Sequence, residues 1–237
     1  MCHPLDAAAL MDGFDAVVVR NSGPVLHYQR AYDAFRAQAV ARGTRVYNPL
    51  TGRGDMAGKQ YLTELTAAGY PVIPTVDRAE DLERLPDTAQ YAVKPKVGAD
   101  SIGLAFLDRA GLDGLDLGGM LVQPRIDFLH EVSFYYVDDA FQYALYAPDP
   151  ERRWELEPYR ANAEDLAFAD RFVRWNTLEH GIQRVDACRT RAGELLLVEL
   201  EDLNPYLSLE LLDEATQDAF VHAMADSLHR YLAAGSA

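Results

Sequence analysis

Lysine is nearly missing from this chain: only Lys59, Lys94 and Lys96 occur, against 19 arginines. Cysteine is scarcer still. Cys2 and Cys188 are too few for a disulfide framework and read as two free thiols, Cys2 at a loose end and Cys188 in a strand. No run of about 18 apolar residues is present, which excludes a spanning helix. The opening MCHPLDAAAL has neither a basic flank nor a long apolar core, so no secretory signal is expected and the cytoplasm is the expected compartment. Internal repeats and low-complexity linkers are absent. Positive charge is also short. A formal charge of −15 argues against a nucleic-acid partner, which calls for a basic patch. Small anions stay open, because they need only a local positive pocket.

What remains is an ordinary globular composition. The chain has 237 residues, 49% of them hydrophobic, enough for a core in one or two domains. Its preference for arginine makes the three lysines notable. An ammonium is a compact point charge suited to a phosphate oxygen; chance within an arginine-rich composition is the competing explanation, above all for Lys96.

The pattern predicts a strand over 15–20, a helix over 28–42 stopped by Gly43, and a strand over 44–47. Asp55 is the expected cap of a helix over 56–68, and Asp77 of a helix over 77–85. Strands are expected at 91–94, 102–107, 119–124, 131–138 and 140–147, the last two joined by a turn at Asp138-Asp139. A helix over 162–178 carries Phe168, Phe172 and Trp175 for the core. A hairpin follows, 182–190 with 194–201 about Ala192-Gly193, and a helix over 213–232 closes the chain. Segregated helices beside mostly antiparallel strands predict an α+β fold.

Two constellations carry chemistry. In Val93-Lys94-Pro95-Lys96-Val97-Gly98-Ala99-Asp100-Ser101-Ile102-Gly103, a strand delivers a lysine into a loop of small residues. Backbone N–H groups and the Ser101 hydroxyl there suit phosphate oxygens, although a plain hairpin loop has the same look. It is not a Walker loop, since the lysine precedes the glycines and no helix follows. The second is Arg184-Val185-Asp186 with Glu199-Leu200-Glu201. Glu199 and Glu201, two apart in a strand, share a face. If the strands pair, three carboxylates converge, which calls for a cation, and oxygen ligands favour magnesium. An exposed acidic hairpin face is the alternative; the leucines around the glutamates argue against a fully solvated one.

The order of these motifs, over residues 44–212, resembles the ATP-grasp superfamily. The individual motifs are short, and their order and spacing carry the resemblance. Asn48-Pro49, Lys59-Gln60-Tyr61-Leu62 and Gly69-Tyr70-Pro71-Val72-Ile73-Pro74-Thr75 resemble the family's first lysine, its helix and the entry to the small lobe. Lys94 with Gly98, Ser101 and Gly103 resembles the second lysine and the flexible phosphate loop. Leu121-Val122-Gln123-Pro124-Arg125-Ile126 is similar to the adenine-binding linker, and Glu131 to the acid that contacts ribose. Leu200-Glu201-Asp202-Leu203-Asn204-Pro205-Tyr206-Leu207-Ser208-Leu209 is most similar to the branch of cycloserine-biosynthesis ligases and bacterial glutathione synthetases.

The resemblance implies two α+β lobes with ATP between them and a carboxylate–amine ligase working through an acyl phosphate. It implies nucleotide contacts from Lys59, Lys94, Ser101, Gln123, Ile126 and Glu131, and Mg2+ held by Asp186, Glu199 and Glu201. Arg184 would stabilise the transferring phosphoryl group or the later oxyanion. The implied division is a shortened pre-ATP-grasp segment, 1–54, and an ATP-grasp domain, 55–237, with a small lobe near 70–122 and a large lobe near 123–237. Small amino acids or peptides are the implied substrates.

Two departures stand out. Relatives carry a fuller N-terminal domain, so a homodimer or partner subunit is an expected way to complete the substrate surface. Gln123 stands where many relatives have glutamate; its carbonyl oxygen can still face an adenine amino group. Phosphorylation without ligation, and a non-catalytic nucleotide-binding module, are the rival readings. Arg152 or Arg153, within 148–160, is either part of a substrate loop or of a solvated connection. The six histidines show no metal-ligand spacing and read as structural.

Overall fold

The computed structural model describes residues 1–21, 23–98 and 102–234. A short helix, α1 (Ala7–Leu10), leads into β1 (Val17–Val18), α2 (Gln29–Arg42) and β2 (Val46–Tyr47), and β1 pairs with β2 in parallel. This is the strand–helix–strand unit expected from the sequence. α2 buries Tyr32, Phe35 and Ala39 in a cluster with Met11, Val25 and Val46. It stops at Gly43, where φ is 67°. That left-handed turn lets the Gly43 and Thr44 N–H groups bond the carbonyls of Val40 and Ala39, at 3.3 and 2.9 Å, which suits glycine.

The next segment corrects two expectations. Asp55 caps no helix. A 3-10 turn covers Asp55–Ala57, and α3 begins only at Tyr61, running Tyr61–Ala67. The Asp55 carboxylate instead accepts from the backbone N–H groups of Asp202 and Leu203, at 2.7 and 2.9 Å. Nor does Asp77 cap a helix: a 3-10 stretch spans Ala79–Arg84 without a side-chain cap. Asp77 accepts from Lys96 Nζ and Gln60 Nε2, at 2.8 and 3.0 Å. In both cases a distant partner outcompetes the local backbone for a short carboxylate.

A small sheet follows. β3 (Tyr91–Pro95) lies between β4 (Ala105–Leu107) and, beyond the helical turn α4 (Arg109–Leu112), β5 (Met120–Pro124), both antiparallel to it. Its own core contains Val76, Leu82, Tyr91, Val93, Leu112 and Val122.

The large sheet has the order β10-β9-β6-β7-β8, from β6 (Phe128–Val137), β7 (Ala140–Ala147), β8 (Glu157–Pro158), β9 (Ile182–Thr190) and β10 (Leu195–Glu201). One face buries Val132, Phe134, Tyr136, Val185 and Leu197 against α3 and α5 (Ala163–Asn176). In α5, Phe168 and Phe172 are buried as expected. Trp175 is only partly buried, with Arg53 stacked 4.0 Å above its ring. Asn162 and Asp165 close a reciprocal capping box at the start of α5. The opposite face is divided. α6 (Glu214–Ala234) covers its Tyr135, Val137, Tyr143 and Leu145 end through Phe220. The remaining part carries charged side chains.

One irregularity matters. Across β9 and β10, Leu197 pairs with Ala187 and Glu199 with Asp186, so Val198 is an extra residue without a cross-strand partner. Before this bulge the buried positions are Leu195 and Leu197; after it the buried position is Leu200. The bulge reverses the in–out alternation. Glu199 and Glu201 therefore leave the core side.

Candidate functional site

The charged face is built by register. Glu199 lies opposite Asp186, Glu201 opposite Arg184, and Ser133 of β6 opposite Asp186. Directly opposed residues share a face, so Asp186, Glu199 and Glu201 lie with Arg184 on one surface. Arg184 donates from Nε and Nη2 to the two oxygens of Asp186, both at 2.8 Å, and from Nη2 to Glu201 at 2.6 Å. Ser133 Oγ donates to Asp186 at 2.7 Å. Lys59, at the turn before α3, donates to Glu199. Burial opposes the charges of Lys59 and Arg184, but the facing carboxylates override it and raise both above their ordinary values. Burial, reinforced by Asp186 and Glu199 against the opposing pull of Arg184, lifts Glu201 to about 8.

Among the described residues, no three His, Cys, Asp or Glu side chains are gathered as a metal-holding group. The three carboxylates are engaged with Lys59 and Arg184 instead. The donor chemistry still fits a hard cation. Three carboxylates face two cations on one surface, Asp186 and Glu201 paired with Arg184 and Glu199 with Lys59.

Beside this ion-pair cluster, a cleft of about 770 Å3 opens between the two sheets, lined by Lys59, Lys94, Gln123, Ile126, Glu131 and Glu199 among others. All the expected nucleotide contacts thus border one cavity except Ser101, which lies outside the described residues. Lys94 comes from β3, and its side chain has no hydrogen bond or ion pair among the described residues. Burial, with Lys59 and Arg153 adding to it against Glu199, lowers its ammonium to about 8. Gln123 Nε2 donates to Thr75 Oγ1 at 2.8 Å, which donates onward to the Ile73 carbonyl. That chain fixes the amide, and among the described residues its carbonyl oxygen has no hydrogen-bond partner. Glu131 accepts from Arg153 Nε at 2.6 Å. Burial pushes the Glu131 carboxyl up, offset in part by Arg153. This contact brings segment 148–160 onto the cleft.

Two further cavities meet the same cluster. One, about 570 Å3, lies between it and the N-terminal segment and is bordered by Tyr32, Arg36, Lys59, Arg184, Glu199 and Glu201. The other, about 560 Å3, is bordered by Ser133, Trp154, Arg184, Asp186, Glu199 and Glu201. Glu199 borders all three. Lys96 turns away from the cleft to Asp77, and its carbonyl accepts from the Lys59 N–H at 2.7 Å.

The support beneath the cluster escapes sequence reading. Asp202, fully buried, accepts from the Gly54 and Met56 N–H groups at 2.8 and 2.9 Å and from Asn176 at 3.0 Å. Asn48 donates to the Ile182 carbonyl at 2.7 Å and to that of Asp202, and accepts from the Ile182 N–H at 2.8 Å. These Gly54 and Met56 contacts to the Asp202 carboxylate, with Asp55 accepting from the Asp202 and Leu203 N–H groups, fasten the loop before Lys59 to the end of β10. Burial, with Asp202, Glu201 and Glu199 nearby, pushes the Asp55 carboxyl well up. The Asn48-Pro49 and Asn204-Pro205 dipeptides are the only sequence signals for this layer.

No protein-family profile matches the chain. Its sequence is 23% identical to the cycloserine biosynthesis protein DcsG of Streptomyces lavendulae, over 96% of this chain and 88% of that protein. The crystal structure of D-cycloserine synthetase DcsG superposes with a TM-score of 0.70, covering 92% of this chain and 84% of the other at 23% identity. The ATP-grasp ligase PsnB, in a structure with a precursor variant, Mg and ADP, gives 0.58 at 19% identity, covering 89% and 77%. The macrocyclase MdnC of Microcystis aeruginosa MRC, bound to precursor peptide MdnA, gives 0.61 at 15%, covering 92% and 79%.

Proposed function

We propose that this chain, whose fold is that of the ATP-grasp ligases, is an ATP- and magnesium-dependent enzyme that joins a carboxylate to an amine on small amino-acid or peptide substrates. The carrying observation is the meeting of three cavities at Glu199: a ligase needs its nucleotide, acid and amine to converge on one point. The likeness to DcsG, PsnB and MdnC supports the same reading.

In this reading the 770 Å3 cleft takes ATP, with the uncommitted Gln123 oxygen toward the adenine amino group and Glu131 toward the ribose. Lys59 and Lys94 hold phosphate oxygens, and Asp186, Glu199 and Glu201 hold magnesium. Magnesium would neutralise charge on the phosphate oxygens and keep them in line. Lys59 and Arg184 exchange a carboxylate for substrate oxygens when the site fills. The acid's carboxylate oxygen bonds to the terminal phosphorus as the bond to ADP breaks. The amine nitrogen then bonds to the acyl carbon of the acyl phosphate, phosphate leaves, and the amine loses a proton. Arg184 stabilises the charge that develops on the phosphoryl group and on the tetrahedral oxyanion. Catalysis thus rests on positioning and preorganised charge. The division at residue 54, with lobes near 70–122 and 123–237, belongs to the same proposal.

The test is ADP and phosphate release with magnesium-ATP across amino acids and dipeptides, singly and in pairs, with mass spectrometry of products. ADP release that needs acid and amine groups, with a product lighter than the reactants by one water, is the expected result. A stable phosphorylated product formed without an amine would overturn ligation.

A further inference from the structure

The cavity between α2 and the ion-pair cluster is bordered by two residues whose polar groups are little used by the other described residues. Tyr32 is about nine-tenths buried, and its hydroxyl has no hydrogen-bond partner among the described residues. Leaving such a group unsatisfied is costly. One helical turn later, Arg36 makes, among the described residues, a single long side-chain contact, 3.4 Å from Nη1 to the Met56 carbonyl, and no ion pair. Residues four apart on a helix are neighbours, and both border this cavity.

The other polar groups there are engaged or solvated. Gln29 donates to Asp33, and Asn21 and Asn204 bond one another. Lys59, Lys96 and Arg184 hold carboxylates. Asp55 accepts two backbone N–H groups. Tyr206 is exposed to solvent. Among the described residues that border the cavity, the Arg36 guanidinium is without a carboxylate partner and the buried Tyr32 phenol without any, and both are hydrogen-bond donors.

We infer that this cavity takes an acid substrate with two carboxylates, one reacting beside Arg184 and Glu199, the other held unreacted by Arg36 and Tyr32. A guanidinium fork matches a planar carboxylate with two parallel bonds, and a phenol donates a third. Asp33 and Asp55 border the same space, which favours a singly charged carboxylate over a doubly charged phosphate group. The inference rests on the ligase reading only for assigning the cavity to the acid. The donor pair itself is independent of it.

The test is calorimetric titration of the full chain without nucleotide. The probes are succinate, glutarate, aspartate and glutamate, the last two in both enantiomers, each beside its monoamides. The expected result is at least one diacid binding tenfold or more tightly than its monoamide. Arg36→Met should erase that gap, Arg36→Lys should keep part of it, and Tyr32→Phe should narrow it several-fold. No gap for any pair, or an Arg36→Met protein that keeps it, overturns the inference. Inorganic phosphate competing as well as the best diacid overturns the carboxylate class. Failure of the ligase reading would appear elsewhere, as absent ADP release, so the two outcomes are separable.

Discussion

Lys94 carries a charge that its surroundings oppose. Its ammonium, lowered to about 8 by burial and by the nearby Lys59 and Arg153, is charged below that pH in both folded and unfolded chains. Between about 8 and the ordinary lysine value, the unfolded chain binds the proton and the folded chain does not. Stability from this group therefore rises with pH across that window. An anion beside Lys94 restores its proton. Nucleotide binding should then take up roughly three quarters of a proton at pH 8.5, and affinity should fall as pH climbs through 8. Calorimetry in two buffers of different ionisation enthalpy measures the uptake. Lys94→Met should abolish it, and equal uptake by that variant would exclude Lys94 as a phosphate contact. Glu199 makes a second residue-scale case. Glu199→Gln keeps the shape while removing the charge at the junction of three cavities. Magnesium-dependent turnover should drop at least a hundredfold, about 2.7 kcal/mol of barrier, with an unchanged circular dichroism spectrum. Wild-type turnover at matched magnesium would remove Glu199 from the metal assignment. That Glu199 shares a face with Glu201 was legible because a strand's period of two announces it, whereas Lys94 was singled out by the scarcity of lysine and the glycine loop after it. Tyr32 and Arg36 were not: α2 reads as an amphipathic helix with a core stripe, and only its docking beside the cluster gives the two donors a purpose.

At the scale of elements, the loop 52–57 decides where Lys59 sits. It wraps the Asp202 carboxylate so closely that a Cβ on Gly54 would lie 2.6 Å from the Leu200 carbonyl oxygen and 3.0 Å from Asp202. That backbone cannot yield without disturbing the end of β10. Gly54→Ala should cost about 1–3 kcal/mol in denaturant unfolding, as overpacking does, and should weaken nucleotide binding by displacing Lys59. A variant as stable as the parent would show that the loop gives way more easily. This loop also shows where sequence reading stops. Asp55 has the right residue type and spacing for a helix cap, so local reasoning prefers that role. Its true partners, the N–H groups of Asp202 and Leu203, lie 147 and 148 positions along the chain. Asp77 fails for the same reason, through Lys96. By contrast, Gly43 and the turn at Asp138 read correctly, because a left-handed stop and a tight turn are settled by the few residues that make them.

For the whole molecule, ligand binding should report as stability. If the cleft between the sheets binds magnesium-ATP, nucleotide at a hundred times its dissociation constant should add about 2.7 kcal/mol. For a chain of this size that is roughly a 5–10 °C rise in melting temperature. Magnesium or ATP alone should give less, because three carboxylates and two lysines are then only partly matched. A melting temperature indifferent to magnesium-ATP would argue against nucleotide in that cleft. The bulge at Val198 has a consequence of another kind. Removing codon 198 would put the buried Leu195, Leu197 and Leu200 at every second position of β10 without interruption, and every existing cross-strand pair could persist. Val198 borders both the nucleotide cleft and the cavity beside Trp154. An in-frame deletion should therefore yield a folded protein with a reshaped floor between those cavities, a change in selectivity reached in one mutational step without loss of the scaffold.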